Sequence, residues 1–199
     1  MAKGAGKRRC AGTVPHRSLG RMEAKRRPVL KLGVVDLGVE TVTLPNGVTV
    51  DLAVVRHPGA CAIVALYDDG TIAMLRQYRH AIGGYLREVP AGCREDGEAP
   101  RQCAERELAE EAGLAARRWD HLGSIVTIPG FCDERIELFL ARELSEVARN
   151  LDHDEVIGEV ERMRLSDALT MIRRGEIIDA KTICALHHAA AFLQVQPHS

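Results

Sequence analysis

The sequence predicts an α+β domain in which antiparallel strands surround a few helices. Three observations lead to this prediction. Val- and Thr-rich segments that alternate apolar and polar residues, a pattern typical of strands, begin at residue 29. A well-bounded helix signal occupies residues 98–112, and two further helix signals lie near the end of the chain. A length of 199 residues suits one domain with a small appendage.

Residues 1–28 form a basic segment that we expect to be a disordered tail. They hold nine Lys or Arg residues and one acid, Glu23, a charge of +8, whereas the remaining residues carry −9. Such a segment is usually solvated because it has too few apolar groups to form a core. Weak binding of nucleic acid is the less favoured alternative, because no aromatic residue is interleaved there to stack on bases.

The elements after the tail follow in order. Residues 29–58 predict two or three strands with a hairpin turn at Asn46-Gly47, and we call this segment the N-terminal β-arm. Residues 59–199 form the main domain. Its strands are predicted at residues 60–65, 71–78, 86–90, 119–127, 137–141 and 160–165. Its helices are predicted at residues 98–112, 167–174 and 179–195, the second with Ser166 as its cap.

The six cysteines are scattered along the chain, and no two are spaced as C-x-x-C. This spacing argues against a zinc knuckle and against a redox dithiol. Isolated cysteines fit a reducing compartment, so we expect a cytoplasmic protein. No stretch approaches roughly eighteen consecutive apolar residues, so no membrane-spanning helix is expected.

The helix predicted at residues 98–112 carries four glutamates, Glu105, Glu107, Glu110 and Glu111. Pro100 suits its first turn, and Gly113 suits the position after its last turn. Like charges three or four residues apart repel each other on a helix, so either water solvates this face or a cation binds there. Clustered carboxylates are ligands that Mg²⁺ accepts, with water and phosphate oxygens completing its shell.

The spacing within residues 92–114 favours the cation. The segment fits the pattern G-x5-E-x7-R-E-U-x-E-E-x-G-U, in which U is aliphatic. A chance match to this many fixed positions is on the order of one in a billion per starting residue. The matching residues are Gly92, Glu98, Arg106, Glu107, Leu108, Glu110, Glu111, Gly113 and Leu114. The pattern is the Nudix box, and the chain resembles the Nudix hydrolases.

The resemblance implies a fold, a reaction class and a metal site. Nudix domains are α/β/α sandwiches with a mixed sheet, preceded here by the small antiparallel β-arm. They hydrolyse nucleoside diphosphates linked to another group and use Mg²⁺ or Mn²⁺. The implied metal ligands are Glu107, Glu111, Glu110 and the carbonyl oxygen of Ala91. The implied catalytic residues are Glu155, Glu110 and Arg106, the last of which can also hold the loop against the helix through Glu98.

Segments beside the box resemble the ADP-ribose pyrophosphatase subfamily. They are RQYRHAIGGYLREVPAG, which ends at Gly92, IPGFCDE at residues 128–134, and GEIIDAKTICAL later in the chain. Pro129 lies sixteen residues after Gly113, the position that marks ADP-ribose-type members. The implied reaction is the Mg²⁺-dependent hydrolysis of ADP-ribose or a related ADP-sugar to AMP and a sugar phosphate. The implied substrate-binding residues are Arg79, Arg76, Glu88, Pro129 and Glu134.

Several alternatives stay open at this level. Hydrolysis of GDP-mannose or another nucleotide sugar is one, and a non-catalytic regulator that binds ADP-ribose is another, although the complete set of box glutamates favours catalysis. For Arg76 and Glu88 a structural role is equally open. The catalytic base is expected at Glu155, with Asp154 next, unless the acidic segment 150–161 is only a solvated loop. The resemblance also implies a homodimer formed through the β-arm.

Overall fold

The structure, a computed structural model, describes residues 24–151 and 156–194. The strands within these ranges are β1 Lys25–Leu32, β2 Val35–Thr43, β3 Thr49–Arg56, β4 Ala60–Ala65, β5 Thr71–Arg79, β6 Gly84–Glu88, β7 Ala91–Cys93, β8 Leu114–Val126, β9 Arg135–Glu146 and β10 Glu161–Arg164. The helices are α1 Pro100–Ala112, α2 Leu165–Arg173 and α3 Ala180–Leu193, with a short 3-10 helix at His80–Ile82. None of the described helices has the length and apolar character needed to cross a membrane.

The central sheet has the strand order β7-β4-β9-β8. Strands β4 and β9 run parallel, whereas β7 and β8 run antiparallel to their neighbours, so the sheet is mixed as predicted. Every residue of β4, with the sequence ACAIVA, is buried. A strand without polar alternation is expected where both faces of a sheet are covered. A second sheet has the order β10-β5-β6 and is antiparallel throughout.

Two apolar cores lie on opposite faces of β4. Val64 belongs to the core that includes Leu186 of α3. Ile63 belongs to the core that includes Leu108 of α1. Alternate residues of a strand point to opposite faces, so one short strand contributes to both cores. The predicted α/β/α sandwich is confirmed, with α1 on one face and α2 and α3 on the other.

The β-arm forms a separate antiparallel sheet of β1, β2 and β3. Its turn lies at Asn46-Gly47, as predicted. Gly47 has a φ of 83°, and Asn46 Oδ1 accepts a hydrogen bond from the Val48 N–H at 3.1 Å. This left-handed conformation favours glycine, which explains the Asn-Gly signal.

The first strand begins at Lys25, so residues 25–28 belong to the sheet and not to the expected tail. Arg26 accounts for the difference, because it forms ion pairs with Asp36 and Glu40 of β2 instead of remaining solvated. Pro28 lies where the register between β1 and β2 shifts, an irregularity that accommodates a residue without an N–H. Residues 1–23, the rest of the expected tail, lie outside the described residues.

Several element ends differ from the sequence prediction. Strand β8 starts at Leu114 and β9 continues to Glu146, because the two strands pair along their whole length despite the charged residues on their outer face. Helix α2 starts at Leu165 with Arg164 as its N-cap, so Ser166 lies inside the helix. Strand β7 was not predicted, because three residues are too few to show an alternating pattern.

Candidate active site

Helix α1 begins and ends close to where the sequence signals place it. Pro100 occupies the first helical position, and Gly113 follows the last one with a φ of 65°. Leu108 packs in the core, and Glu107 and Glu111 beside it are also buried, with 7% and 0% of their surface exposed. Burying a carboxylate is unfavourable unless partners compensate for the lost water. The burial of both glutamates therefore indicates that α1 carries functional carboxylates in addition to its packing residues.

Both carboxylates lie against strand β7. Glu111 Oε2 accepts a hydrogen bond from the Ala91 N–H at 2.7 Å. A Cβ atom built on Gly92 would lie 2.0 Å from Glu107 Oε1. Only glycine leaves room for the carboxylate at this position, which is a physical reason for the glycine that opens the motif. The Ala91 N–H thus holds Glu111 in place, and Gly92 leaves room for Glu107.

Arg106 fixes the loop before α1 to the helix. Its Nε and Nη2 donate to Glu98 Oε1 and Oε2 at 2.9 and 3.1 Å, and Nη2 also donates to the Cys93 carbonyl at 3.0 Å. Its Nη1 donates to Glu107 at 2.7 Å and to Glu110 at 3.0 Å. The hydrogen bond with Glu98 raises the pKa of Arg106 and lowers the pKa of Glu98. Arg106 is therefore a charged clamp between loop and helix.

A cavity of about 360 Å³ opens beside β7. Its wall includes Ala91, which holds Glu111, and Gly92, which lies next to Glu107. Two cations, Arg79 and Lys181, and two carboxylates, Glu134 and Asp179, also line it. The remaining lining residues are Ala60, Ala91, Gly92, Cys93, Thr127, Ile128, Ile136 and Ala180. Positive charge at a cavity wall suits an anionic ligand such as a phosphate.

The two cations of the cavity are held by Glu88, which is only 1% exposed. Arg79 Nε and Nη2 donate to its two carboxylate oxygens at 2.8 and 2.7 Å, and Lys181 Nζ donates to Oε2. Burial opposes ionisation of Glu88, but the hydrogen bonds and charges of the two cations outweigh it and lower the pKa of Glu88. The hydrogen bond to Glu88 raises the pKa of Arg79. Arg79 therefore stays charged, and Glu88 holds both cations in place.

Lys181 had no role in the sequence analysis. The segment GEIIDAKTICAL was singled out, but a lysine on a helix is usually solvated. Asp179, the N-cap of α3, accepts a hydrogen bond from the Thr182 N–H at 2.9 Å and another from Lys181 Nζ at 3.1 Å. The capping aspartate was the available signal, because it places Lys181 in the first turn of α3, at the end that meets the cavity.

Glu134 lines the cavity from the loop between β8 and β9. It accepts a hydrogen bond from Thr127 Oγ1 at 2.5 Å, and its Oε1 lies 3.5 Å from His57 Nε2. His57 Nε2 also lies 3.5 Å from Cys93 Sγ. Burial raises the pKa of the Cys93 thiol, and the negative charges of Glu134 and Glu107 add to the effect. The thiol therefore stays protonated at neutral pH and is poorly suited to act as a nucleophile.

Comparison with known proteins decides the family. A model of the NUDIX domain matches residues 55–186, more than half of the chain. The chain belongs to the Nudix family. The Nudix box at residues 92–114 and all the described cavity-lining residues lie within the matched segment.

Named relatives of this Nudix chain include ADP-ribose pyrophosphatases. The protein of that name from Bacillus subtilis (strain 168) is 44% identical over 157 residues, 78% of this chain and 84% of that protein. The one from Mycobacterium tuberculosis (strain ATCC 25618 / H37Rv) is 41% identical over 149 residues, 74% of this chain and 72% of that protein. A crystal structure of an ADP compounds hydrolase matches with a TM-score of 0.75 at 19% identity, covering 89% of this chain and 97% of that one, and supports the fold alone.

The Nudix box residues fit a divalent cation by the chemistry of their donors. Among the described residues, no group of three or more His, Cys, Asp or Glu side chains is arranged to hold a metal ion. Glu107 and Glu110 both accept hydrogen bonds from Arg106, while Glu111 accepts one from Ala91. All the implied donors are nevertheless oxygen atoms. Mg²⁺ prefers oxygen and needs only one or two protein carboxylates, so the set suits it.

Arg76, a predicted substrate-binding residue, lies apart from Arg79. The two are three residues apart on β5, and positions separated by an odd number point to opposite faces of a strand. Arg76 lies 5.5 Å from the ring centre of Tyr85. It lines a different cavity, of about 380 Å³, together with Tyr85, Gly158, Glu159 and Glu161. The structure therefore does not bring Arg76 to the cavity that holds Arg79.

Two other predicted substrate-binding residues, Pro129 and Glu88, lie next to residues that line the cavity. Pro129 lies in the turn that leads to Glu134, and its neighbour Ile128 lines the cavity. Glu88 lies behind the two cations of the cavity wall and orients them. Glu155 and Asp154 lie outside the described residues, so the base prediction stays a prediction.

Proposed function

We propose that the chain is a Nudix pyrophosphohydrolase that hydrolyses the pyrophosphate bond of ADP-ribose or a related ADP-sugar, giving AMP and a sugar phosphate. One observation carries this proposal. Strand β7 holds the buried Glu111 through the Ala91 N–H and also lines the cavity that contains Arg79 and Lys181. The strand that holds a box carboxylate and the two cations thus border one cavity. The relatives named ADP-ribose pyrophosphatases support the substrate class.

Mg²⁺ or Mn²⁺, held by Glu107, Glu111, Glu110 and the Ala91 carbonyl, would supply positive charge for the pyrophosphate and activate the attacking water. The chain's own residues prepare this site. Arg106 holds Glu107 and Glu110 near the loop, and Gly92 leaves room for Glu107. Glu155 is our candidate for the general base that accepts the proton of the water, with Asp154 next.

Arg79 and Lys181 bind the phosphate oxygens in this proposal. Glu88 holds both cations before substrate arrives, which reduces the entropy lost on binding. Arg79 offers a planar guanidinium and Lys181 a point charge, and both suit phosphate. Glu134, also at the wall, is negatively charged and is better suited to accept hydrogen bonds from sugar hydroxyls.

Two alternatives are retained. Hydrolysis of GDP-mannose or another nucleotide sugar needs the same carboxylates and cations, and GDP-mannose pyrophosphatases are among the relatives. A non-catalytic regulator that binds ADP-ribose needs the cations but not the box carboxylates. All the box glutamates are present, and Glu107 and Glu111 are buried at a strand next to the cavity, which favours catalysis.

A substrate panel tests the proposal. Turnover with Mg²⁺ would be measured on ADP-ribose, GDP-mannose, ADP-glucose, NADH and diadenosine polyphosphates by following the released nucleotide. Preference for ADP-ribose supports the proposal, and activity chiefly on GDP-mannose would keep the chemistry but replace the substrate. No turnover, with ADP-ribose still bound in calorimetry, would favour the regulator. EDTA should abolish turnover, and added Mg²⁺ or Mn²⁺ should restore it.

We further propose a homodimer formed through the β-arm. The arm exposes a run of apolar side chains, including Leu32 at 72% exposure. The others are Val29, Leu30, Val34, Val35, Val48 and Leu52. Exposed apolar patches of this kind commonly mark interfaces. Light scattering after size exclusion would give the mass, and a monomer at micromolar concentration would contradict the proposal.

The cellular setting follows from the cysteines and the basic segment. Each of the five described cysteines is free, which fits the reducing cytoplasm, where we place the protein. The basic residues 1–28 remain the only candidate for nucleic-acid contact that the sequence analysis raised. RNA retention at two salt concentrations, with and without residues 1–23, which precede strand β1, would test that minor alternative, because phosphate contacts weaken steeply with salt.

A further inference from the structure

A second network of charges joins the β-arm to the cavity. At its centre, Glu40 of β2 is only 4% exposed and is paired with Arg26 and Arg56. Arg56 Nε and Nη2 donate to the two Glu40 oxygens at 2.9 and 2.5 Å. Its Nη1 donates to Asp133 Oδ2 at 2.9 Å. One guanidinium therefore connects a buried carboxylate of the arm to the loop between β8 and β9.

Asp133 is also bound to the arm at a second point. Its Oδ1 accepts a hydrogen bond from the His57 N–H at 2.9 Å. The backbones meet as well, because the Val55 N–H donates to the Phe131 carbonyl at 2.7 Å and the Asp133 N–H donates to the Val55 carbonyl at 3.3 Å. Val55 and Cys132 thus form a short parallel bridge between β3 and the loop. Displacing the loop would break several hydrogen bonds together.

The residue after Asp133 is Glu134, which lines the candidate active site. Its carboxylate is held at the other end of the loop by Thr127 and approaches the His57 ring. The loop is therefore secured by its own side chains on one side and by the arm on the other. Asp133 lines a neighbouring cavity of about 370 Å³ together with Arg56 and His57, so it acts from outside the site.

We propose that Asp133 is a positioning residue that clamps the loop 127–134 to the β-arm through Arg56 and His57, and thereby sets the place of Glu134 in the active site. The kinetic part of this inference rests on the proposed function, whereas the clamp itself is a property of the free protein. Because the clamp starts at a buried carboxylate of the arm, the state of the arm is coupled to the substrate cavity.

Asp133→Asn tests the clamp. Asparagine keeps the shape but offers one acceptor oxygen to the two donors, Arg56 and His57. Asp36→Asn is the matched control, because Asp36 is a similarly half-exposed carboxylate whose 2.5 Å ion pair with Arg26 stays within the arm. Arg56→Lys, which keeps the charge but loses the fork, is a second variant that preserves the test if Asp133→Asn does not fold.

Hydrogen exchange of the free protein is the first readout. Exchange in residues 127–134 should rise about fivefold or more in Asp133→Asn, with α1 unchanged, because the opening would be local. For the substrate that the wild type hydrolyses, KM should rise about tenfold with kcat within about twofold, the pattern of a lost binding contact. Arg56→Lys should show a smaller change of the same kind. Asp36→Asn should leave both readouts unchanged.

Unchanged exchange in Asp133→Asn overturns the clamp. Faster exchange with unchanged KM overturns the positioning role, because the loop would then set no substrate contact. Faster exchange spread over α1 as well would show general destabilisation and would also count against the inference. If the wild type hydrolyses nothing in the panel, the proposed function fails, while the exchange data still decide whether Asp133 holds the loop.

Discussion

Glu88 and Glu40 are each at the centre of the same kind of charge cluster, in two different regions of the molecule. Each is a buried carboxylate, 1% and 4% exposed, paired with two cations. The cations of Glu88 line the cavity beside the Nudix box. The cations of Glu40 join the strands of the β-arm, and one of them reaches the loop between β8 and β9. A buried ion pair by itself therefore does not show whether its residues belong to a binding site or only stabilise the fold.

The difference lies in what each cation meets on its other side. Arg79 has one counter-ion, Glu88, behind it and the cavity in front, so it can bind an anion without giving up Glu88. Lys181 also lines the cavity but is paired with both Glu88 and Asp179. Arg56 has a carboxylate on both sides, Glu40 and Asp133. These two carboxylates already compensate the charge of Arg56, which suits this residue to stabilising the fold. The comparison predicts that similar substitutions in the two regions have different effects.

The largest effect is expected at a third buried carboxylate, Glu111, which serves as the reference for loss of catalysis. Glu111→Gln keeps the shape and can still accept from the Ala91 N–H but loses the charge. We expect kcat to fall by about three orders of magnitude, since charge directed at the reacting group dominates such sites. Steady-state kinetics with thermal unfolding as a fold control would measure this. Near-normal kcat in a folded variant would show the metal-site assignment to be wrong.

The next effect separates the two sets of cations. Lys181→Met removes a charge at the cavity wall that we propose binds phosphate, and it should lower kcat/KM about a hundredfold. Arg26→Met removes an equivalent partner of Glu40 in the arm, and kcat/KM should stay within about twofold of the wild type, since only a structural pair is lost. Initial rates at low substrate concentration measure both. Equal losses of kcat/KM in the two variants would contradict the inference that the cations of the cavity, and not those of the β-arm, act on the substrate.

Stability should change in both regions. Glu88→Gln and Glu40→Gln each leave two cations without their carboxylate, and the free energy of unfolding should fall by about 3 kcal/mol in each. Glu88→Gln should also lower kcat/KM strongly, because it disturbs the cations of the cavity. Glu40→Gln acts on the cavity only through Arg56 and the loop that Asp133 clamps, so it should lower kcat/KM less. Urea unfolding and kinetics on the same samples would give both values. A loss of activity in Glu40→Gln as large as in Glu88→Gln would contradict the comparison.

The smallest effect is a dependence on pH. The pKa of Glu88 in the folded protein lies below its ordinary value of 4.5. Its stabilising contribution is therefore fully present above pH 4.5 and is lost as the pH falls through the folded pKa. The stability difference between the wild type and Glu88→Gln should be constant near neutral pH and shrink below pH 4.5. Urea midpoints of both proteins at several pH values would measure this stability difference. A difference that grows on acidification would contradict the prediction.

The comparison also explains which parts of the site could be predicted from the sequence. The box residues lie in one continuous segment, strand β7, a loop, helix α1 and the first residue of β8, and the charged ones lie in the loop and the helix, where spacing along the chain sets spacing in space. Arg76 and Arg79 show the limit of such reasoning. Both lie in the segment that resembles ADP-ribose pyrophosphatases, but strand geometry sends them to opposite faces, and only Arg79 reaches the cavity.

Lys181 and Arg56 illustrate contacts between distant parts of the chain. Lys181 meets Glu88 across 93 residues, and Arg56 meets Asp133 across 77. Neither pair has a local spacing that a sequence pattern could reveal. Similarly, β7 is too short to show a strand pattern, but pairing with β4 makes it the wall at which the box carboxylates and the cavity meet.

The sequence by itself determined the fold class, the Nudix box with its ordered carboxylates, the helix that carries them and the Asn-Gly turn of the β-arm. Each of these depends on residues close together in the chain, where helix and turn geometry turns spacing into position. The tertiary structure alone decided which cations line the cavity, that Glu88 orients them, and that the arm holds the loop beside Glu134. These depend on strands and helices packing across many residues, and a buried charge takes its role from the groups that packing brings to it.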